Sequence, residues 1–583
     1  VSPGQTEFSF QARERTLKRF RDETFDLLVI GGGIIGSAVA RDAVTRGLKV
    51  ALVERGDFAQ GTSSRSSKLI HGGLRYLQNL EFSLVFEALS ERALLLKTSP
   101  HLVRPLPFYL PVYHGDPNGK AKLSLGLWLY DMLALFRAPG FHKNLSRKSI
   151  LKDIPFLKEK GLVGGFKYYD ASMWDDVIAV ETARAAHYGG AAIANYVEAV
   201  GPSWKGNRIV GFRIRDLEQK GAIGEIDVRA ERVVICAGPW TDLVGKSLAT
   251  QWKNWLMLSK GVHLIFDWKR IPIPGAMVMS NPDDGRISFV MPRPDLGAGV
   301  TIVGTTDGPA PSDPSLAKVE QADIDYLMRL LEKYFPELKL TDEDILSAYV
   351  GVRPLFGAEA EKAAGAGGTH AATHGDNSEA SKSLQKVSRE HHIAQGPGGV
   401  VIVTGGKYTT HRRMAAEIVD YALARWTEDA KNQSVSKFPS GIGKSRTKSP
   451  VNPNALPQAV EEAKELATRQ GLSVPPELFE RYGADALDVM DIDEHNGVED
   501  PPGFPHLEGQ LRHAIRKEMV LHLTDFYFRR QPLFSSRKDH GLPWAERLAL
   551  TWAEEMSATP EQAKQEVESL RAEIAQRNEW KKS

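Results

Sequence analysis

Apolar positions first organise the chain between residues 25 and 54. Phe25–Ile30 is an apolar run interrupted only by Asp26, followed by glycines and then by Ala38, Val39, Ala43 and Val44 at helical spacing. Gly47 stops that helix, and a second run, Lys49–Val53, ends on Glu54. Predominantly apolar runs suit strands covered on both faces, so the pattern predicts strand, turn, helix and parallel strand. Further on, Glu81–Leu102 reads as an amphipathic helix ended at Pro100, Gly190–Ala199 as a strand, and 208–236 as a meander closing on Val233–Gly238. Strand patterns recur over 255–310, an acidic helix follows at 316–337, and Asp344–Leu355 leads back toward a strand at Gly399–Thr404. A Gly turn, GGKYTT, then opens a long helix, and beyond residue 457 the pattern is helical. Thr559-Pro560 caps a last helix with Ala563, Val567, Leu570 and Ile574 on one face.

The turn after the first strand carries chemistry. Gly31, Gly33 and Gly36 fit G-x-G-x-x-G, with Ile35 inside it. The first glycine permits the tight turn, the second lets a pyrophosphate approach, and the third lets helix and strand pack. The helix N-terminus offers N–H groups to phosphates. Glu54 stands where a carboxylate accepts from ribose hydroxyls, with Arg55 beside it. The motif by itself does not separate FAD from NAD.

Composition narrows the class. With 583 residues the chain holds two or three domains, and 42% apolar content suffices for their cores. A net charge of +1 gives no reason to expect nucleic acid as a partner. The single cysteine, Cys236, excludes a disulfide framework; it sits in an apolar strand and reads as a packed small residue in a chain suited to a reducing, cytoplasmic compartment. Residues 1–24 are polar and basic, read as a solvated arm and not a signal peptide, with a membrane-touching basic helix as the weaker option. Leu123–Phe136 is too short for the ~20 residues a bilayer span needs. Flanked by Lys120, Lys122 and Arg137, it is either a buried helix or a surface for a bilayer interface. His370 and His374 lie on a Gly/Ala stretch, and no metal site is expected.

These features divide the chain. A basic arm, 1–24, precedes a nucleotide-binding domain in two parts, 25–104 and 166–255, separated by a cap excursion at 105–165. A substrate-binding region follows at 256–350. Residues 351–430 return to the nucleotide domain and carry a Gly/Ala/Ser/His-rich insertion at 357–386. Residues 431–457 form a Ser/Pro/Lys/Asn-rich linker to a C-terminal helical domain at 458–583, whose role could be docking or contact in a homodimer.

The loop after Glu54 is dense in hydroxyls, Thr62, Ser63, Ser64, Ser66 and Ser67, and ends in Lys68, Leu69, His71, Gly72, Gly73, Arg75 and Tyr76. Hydroxyls suit a pyrophosphate and cations an anion. This segment, GTSS then SSKLIHGGLRYL, resembles the second cofactor segment of FAD-dependent glycerol-3-phosphate dehydrogenases of the aerobic type. The similarity continues in EFSLVFEALSERALLLKTSPHL, CAGPW (236–240), GTTD (304–307), GVRPL (351–355), GGKYTT (405–410) and EMVLHLTDFYFRR (518–530).

The resemblance implies an α/β flavoprotein: a Rossmann-like, two-dinucleotide-fold FAD-binding domain, an interleaved α+β substrate and cap domain, and the helical C-terminal domain. FAD is the implied cofactor. The cofactor set is Gly31, Gly33, Ile35, Gly36, Glu54, Arg55, Thr62, Ser63, Ser64, Lys68, Leu69, His71, Gly72, Val197, Ala237, Gly238, Gly406, Thr409 and Thr410. Val197 is either a backbone reader of adenine or an ordinary strand residue. The implied reaction is oxidation of sn-glycerol 3-phosphate at C2 to dihydroxyacetone phosphate by hydride transfer to flavin N5. A phosphate dianion calls for fixed cations, and Arg75, Arg353, Arg389 and Lys407 are the candidates, with Tyr76 able to bond phosphate or merely pack. His263, whose reference pKa lies near working pH, is the candidate base, against a purely structural role. Arg353 and Lys407 join it as catalytic candidates, Lys407 acting either at the flavin or at the substrate oxygen. Electrons would pass to a quinone from a peripheral position on the cytoplasmic face of the membrane. The alternative is an oxidase of the same family that uses O2 and releases H2O2; an NAD-dependent dehydrogenase and a nucleotide-sensing module fit the loop less well.

Overall fold

The computed structural model describes residues 7–74, 77, 81–116, 119–135, 137–218, 225–281, 284–357, 391–431, 441–493 and 499–582. Two sheets carry the fold. The first runs in the order His391–Gln395, Val401–Gly405, Ile226–Ile235, Thr24–Ile30, Val50–Val53 and Ala192–Ala194. Its inner strands pair in parallel, Leu28 opposite both Val233 and Ala51. Leu27–Ile30 and Val50–Val53 are buried on both faces, which is why these stretches read as apolar runs. Helices Ile34–Thr45 and His411–Lys431 pack on the sheet through Ala38, Val39, Ala43, Met414, Ile418 and Ala422. A meander, Val197–Lys205 and Arg208–Asp216, is joined to the first sheet through Ile226–Ile235.

The second sheet has ten strands and draws on distant parts of the chain. Leu256–Asp267 lies between Ile345–Phe356 and Val300–Gly304, and the order runs on through Ile287–Arg293, Ala276–Ser280, Val103–Tyr113 and Leu162–Met173 to Leu69–Ile70. The cap excursion and the substrate region are therefore one sheet, joined where Ala276–Met277 pairs with Phe108–Tyr109. Leu162–Met173 also belongs to this sheet, so the nucleotide domain resumes with the helix Asp175–Tyr188. The strand expected at 190–199 is two strands broken at Asn195-Tyr196, and Tyr196 has a positive φ of 53°.

The N-terminal region departs from the solvated arm. Phe10–Asp22 is a helix capped by Ser9, with Ala12, Leu17 and Phe20 buried, Leu17 and Phe20 against the first sheet. Arg13 is buried too, donating to Asn195 O (2.8 Å) and paired with Asp216. The helix spends its apolar face inside the protein, so the membrane-touching alternative fails for it.

Residues 457–582 form a helical layer with its own core, including Leu511, Phe526, Leu548, Trp552 and Leu570. Thr559 caps the helix Pro560–Arg577 as its sequence predicts, and Ala563, Val567, Leu570 and Ile574 are buried. A buried ionic cluster fastens this layer to the nucleotide loop: Asp57 accepts from Arg530 Nη1 (2.8 Å) and Nη2 (2.9 Å), and also pairs with Arg529. No described helix is long and apolar enough to cross a membrane.

Candidate functional site

A cavity of about 1850 Å3 lies between the two sheets, with the last helix as an additional wall. Small-molecule pockets usually measure roughly 300–1,000 Å3, so the space suits a dinucleotide together with a small second ligand. Its dinucleotide end is built by the glycine turn. Gly31 has φ +108°, and a Cβ there would come within 2.5 Å of Cys236 O. A Cβ at Gly36 would collide with the Gly31 carbonyl oxygen, so this position keeps helix and turn in contact. At Gly33 an added Cβ would meet only Ser63 Oγ, at 3.1 Å; the residue faces the cavity.

Hydroxyls and a carboxylate complete that end. Ser63 Oγ accepts from Ile34 N (3.0 Å) and so sits over the helix N-terminus. Glu54 accepts from the N–H groups of Gly32 (2.6 Å) and Gly56 (2.9 Å). Burial raises its carboxyl above the usual range while these N–H groups pull it down. Two bonds leave further acceptor positions on the carboxylate for ligand hydroxyls. Val197 lines the cavity, with its N–H committed to Glu54 O (2.7 Å). Ile35, Arg55, Thr62, Leu69, His71, Ala237, Gly238, Gly406 and Thr409 also line it.

Other candidates stand back from the cavity wall. Lys68 is held by Asp175 and by Asp176 (3.5 Å), its charge spent inside the protein. Ser64 Oγ turns to Gly61 O (3.4 Å), and Thr410 sits at the start of the long helix with its hydroxyl on Lys407 O (3.4 Å). Gly72 gives its N–H to Tyr130 Oη (2.9 Å) in a space too tight for a side chain. Arg75, Tyr76 and Arg389 lie outside the described residues, as do His370, His374 and all of the 357–386 insertion beyond Gly357.

The opposite end is built by paired strands of the second sheet. Arg353 faces Ser259 across the ladder, and its guanidinium lies over Gly261, where any side chain would strike it. Nη1 reaches Ser259 Oγ (3.3 Å), Lys260 O (3.3 Å) and Asp307 Oδ1 (3.2 Å); Nη2 reaches Thr305 Oγ1 (3.1 Å). The GTTD and GVRPL segments, read separately in the sequence, are thus two halves of one cluster. His263 stacks on Tyr349 (centroids 4.7 Å apart, planes at 13°), and its Nε2 meets Ser67 Oγ at 2.9 Å. Burial, then the positive charges of Arg353 and Lys68, push this imidazole down to about 3. It is neutral at physiological pH, the form able to accept a proton. Lys407 enters from the Gly405-Gly406 turn, where both glycines have positive φ.

Sequence reasoning missed Ser259, Asp307 and Tyr349, which hold Arg353 and His263 in place. Only the strand register brings them together. It also missed that the last helix reaches the site: Glu573, Gln576 and Arg577, with Trp580 just beyond the helix, line the cavity more than 500 residues after the glycine turn, and no local signal marks them.

The profile of FAD dependent oxidoreductases matches residues 26–423, and that of the C-terminal domain of alpha-glycerophosphate oxidase matches 458–563. A glycerol-3-phosphate dehydrogenase of Mycobacterium leprae is 34% identical over 97% of this chain and 90% of its own length. An aerobic glycerol-3-phosphate dehydrogenase of Staphylococcus saprophyticus is 33% identical over 92% of each chain. Among solved structures, the glycerol-3-phosphate dehydrogenase from Bacillus halodurans complexed with FAD superposes with a TM-score of 0.73 at 26% identity, covering 97% of this chain and 98% of that one.

Proposed function

Since the chain belongs to the family of FAD-dependent glycerol-3-phosphate dehydrogenases, we propose that it oxidises sn-glycerol 3-phosphate to dihydroxyacetone phosphate and passes the electrons to a quinone. FAD is the family's cofactor, and the residues present fit it: a glycine turn open at Gly33, a helix N-terminus, Glu54, and a cavity large enough. Bound there, FAD supplies the two-electron acceptor for the C2 hydride. Gly31, Gly33, Ser63, Glu54, Ala237 and Thr409 would hold it.

The chain's own residues do the rest. Arg353 and Lys407 supply positive charge for the phosphate, and Arg353 is kept from swinging away by Ser259, Thr305 and Asp307. His263 accepts the C2 hydroxyl proton at Nε2, the nitrogen now facing Ser67. Stacking on Tyr349 fixes the ring plane during that transfer. A dianionic substrate beside the imidazole raises its basicity from the low value of the empty site. The observation that carries this reading is a neutral, buried His263 and a tethered Arg353 facing one cavity from adjacent strands.

The cavity's apolar wall of Trp240, Leu243 and Leu316 offers the quinone a non-polar surface. The second reading, an oxidase, is favoured by the family profile that matches the helical region. Purified holoenzyme reduced with glycerol 3-phosphate without oxygen decides between them. Reoxidation by a soluble quinone analogue, fast relative to reoxidation by air, is expected. Stoichiometric peroxide in air at the full turnover rate would establish the oxidase, and no flavin reduction by glycerol 3-phosphate would end both readings.

A further inference from the structure

Two polar side chains of the site stand one behind the other. The imidazole of His263 borders the cavity, yet the residue is only 2% exposed. Its ring is held in place by the two neighbouring strands: Tyr349 stacks on it with centroids 4.7 Å apart, and a Cβ at Gly304 would come within 2.3 Å of it. Nδ1 is buried and meets no partner among the described residues. Nε2 has one, the hydroxyl of Ser67 at 2.9 Å, and Ser67 is half-buried and lines the same cavity. The place from which a ligand hydroxyl would approach Nε2 is thus held by Ser67.

The backbone on both sides of Ser67 is anchored. Ser66 Oγ donates to Asp175 Oδ2 (2.7 Å) and accepts from Lys68 N (2.9 Å), while Ser66 O accepts from Tyr349 Oη (2.8 Å). Lys68 O accepts from Met173 N (2.9 Å), and the Lys68 ammonium is paired with Asp175. Lys68 itself has φ 52°, a left-handed conformation that L residues adopt only where their surroundings impose it. Tyr349 therefore fixes both partners, the imidazole through its ring and the serine loop through its hydroxyl. Turning the Ser67 hydroxyl aside would take from the buried imidazole its one hydrogen bond among the described residues, a costly loss. A hydroxyl has one donor and two acceptor lone pairs, so Ser67 can donate to Nε2 and accept from a cavity ligand at once.

We propose that Ser67 is a proton relay, taking the proton of the substrate's C2 hydroxyl while giving its own to His263 Nε2. The inference rests on the reading of His263 as the base and deepens it. The C2 hydride leaves with its electron pair. In the same event the C2 O–H bond breaks, its electron pair stays to complete the carbonyl, and its proton goes to Ser67 Oγ. The proton already on Ser67 passes to Nε2, so the serine ends neutral and the imidazole carries the positive charge. This direction requires the neutral imidazole to hold its hydrogen on Nδ1 and a lone pair on Nε2. Direct transfer to Nε2 would instead require the substrate to displace Ser67, and the two routes predict opposite effects of removing the hydroxyl.

The test is anaerobic stopped-flow reduction of the holoenzyme by saturating glycerol 3-phosphate, beside nitrogen spectra of the unreacted protein labelled with 15N-histidine. Ser67→Ala should slow flavin reduction about 100-fold or more with little change in the half-saturating substrate concentration, and Ser67→Thr, which restores a hydroxyl, should recover at least about tenfold of that loss. In mixtures of light and heavy water the wild-type rate should fall along a curve, as two moving protons require, and the Ser67→Ala rate along a straight line. The His263 resonances, assigned by their loss in His263→Asn, should show hydrogen on Nδ1. Ser67→Ala reducing its flavin as fast as wild type while His263→Asn is slow would overturn the relay and leave His263 as a direct base. A straight line for the wild type, or hydrogen on Nε2, would overturn the relay as well. His263→Asn at the wild-type rate would instead remove the base itself, and the relay with it.

Discussion

Replacing Arg353 with alanine tests the anion end of the cavity, and Asp307→Asn shows what the result means. The guanidinium makes at least four polar contacts with protein groups at 3.1–3.3 Å, one of them to the Asp307 carboxylate. A charged hydrogen bond to a bound anion is worth roughly 1.5–3 kcal/mol, so Arg353→Ala should raise the KM for glycerol 3-phosphate about 10- to 160-fold. The upper part of the range is expected, because Asp307 then faces the incoming phosphate without its counter-charge. Asp307→Asn removes that negative charge and keeps a side chain able to hold the arginine. KM should then stay level or fall. The assay is steady-state reduction of a soluble acceptor, with visible flavin absorbance confirming equal cofactor content. If Arg353 merely braced the GTTD turn, both variants would raise KM together. That result, or a KM for Arg353→Ala within twofold of wild type, would refute the assignment.

Three more expectations follow from the geometry. Gly33→Val should fold and melt like wild type as apoprotein yet hold no flavin, whereas Gly36→Val, which forces a side chain onto the Gly31 carbonyl, should lower stability by about 1–3 kcal/mol or more in a denaturant titration. Asp57→Asn leaves the buried Arg529 and Arg530 without their shared counter-ion and should cost about 3–5 kcal/mol, seen as a drop in melting temperature; an unchanged melt would discount the cluster. Buried His513 is pushed down to about 3, and the unfolded chain titrates near 6.5. Below about 6.5 only the unfolded state takes the proton, so stability falls as pH drops toward about 3, by at most roughly 1.4 kcal/mol per pH unit for one histidine. His513→Leu should flatten that slope in melts run across this range.

The nucleotide half of the fold is legible because its signals are local. A strand, a glycine turn and a helix lie within thirty residues of one another, and the glycines are required by the positive φ at Gly31 and the contact at Gly36. The second sheet is not legible as one body, since its pairings join residue 69 to 172, 108 to 276 and 259 to 353. Arg353 and His263 can be picked out by residue type and by resemblance, but Ser259, Asp307 and Tyr349 become partners only through that register. The N-terminal helix misleads because arginines dominate its composition; Leu17 and Phe20 are enough to bury it, and Arg13 finds Asp216. Lys68 stands out by its charge alone, and its tie to Asp175 spans more than a hundred residues.

The clamp between Asp57 and Arg529-Arg530 sets an order of events during synthesis. Its two sides are separated by 472 and 473 positions along the chain. At roughly 5–20 residues per second, a ribosome takes about 25 to 95 seconds to supply the second side after the first has emerged. Throughout that interval the loop beside Glu54 carries an acid awaiting its arginines. The newborn nucleotide half should therefore gain its final grip on the dinucleotide only when the helical layer has docked, so that a chain stalled before residue 530 stays colourless however well its first sheet has formed.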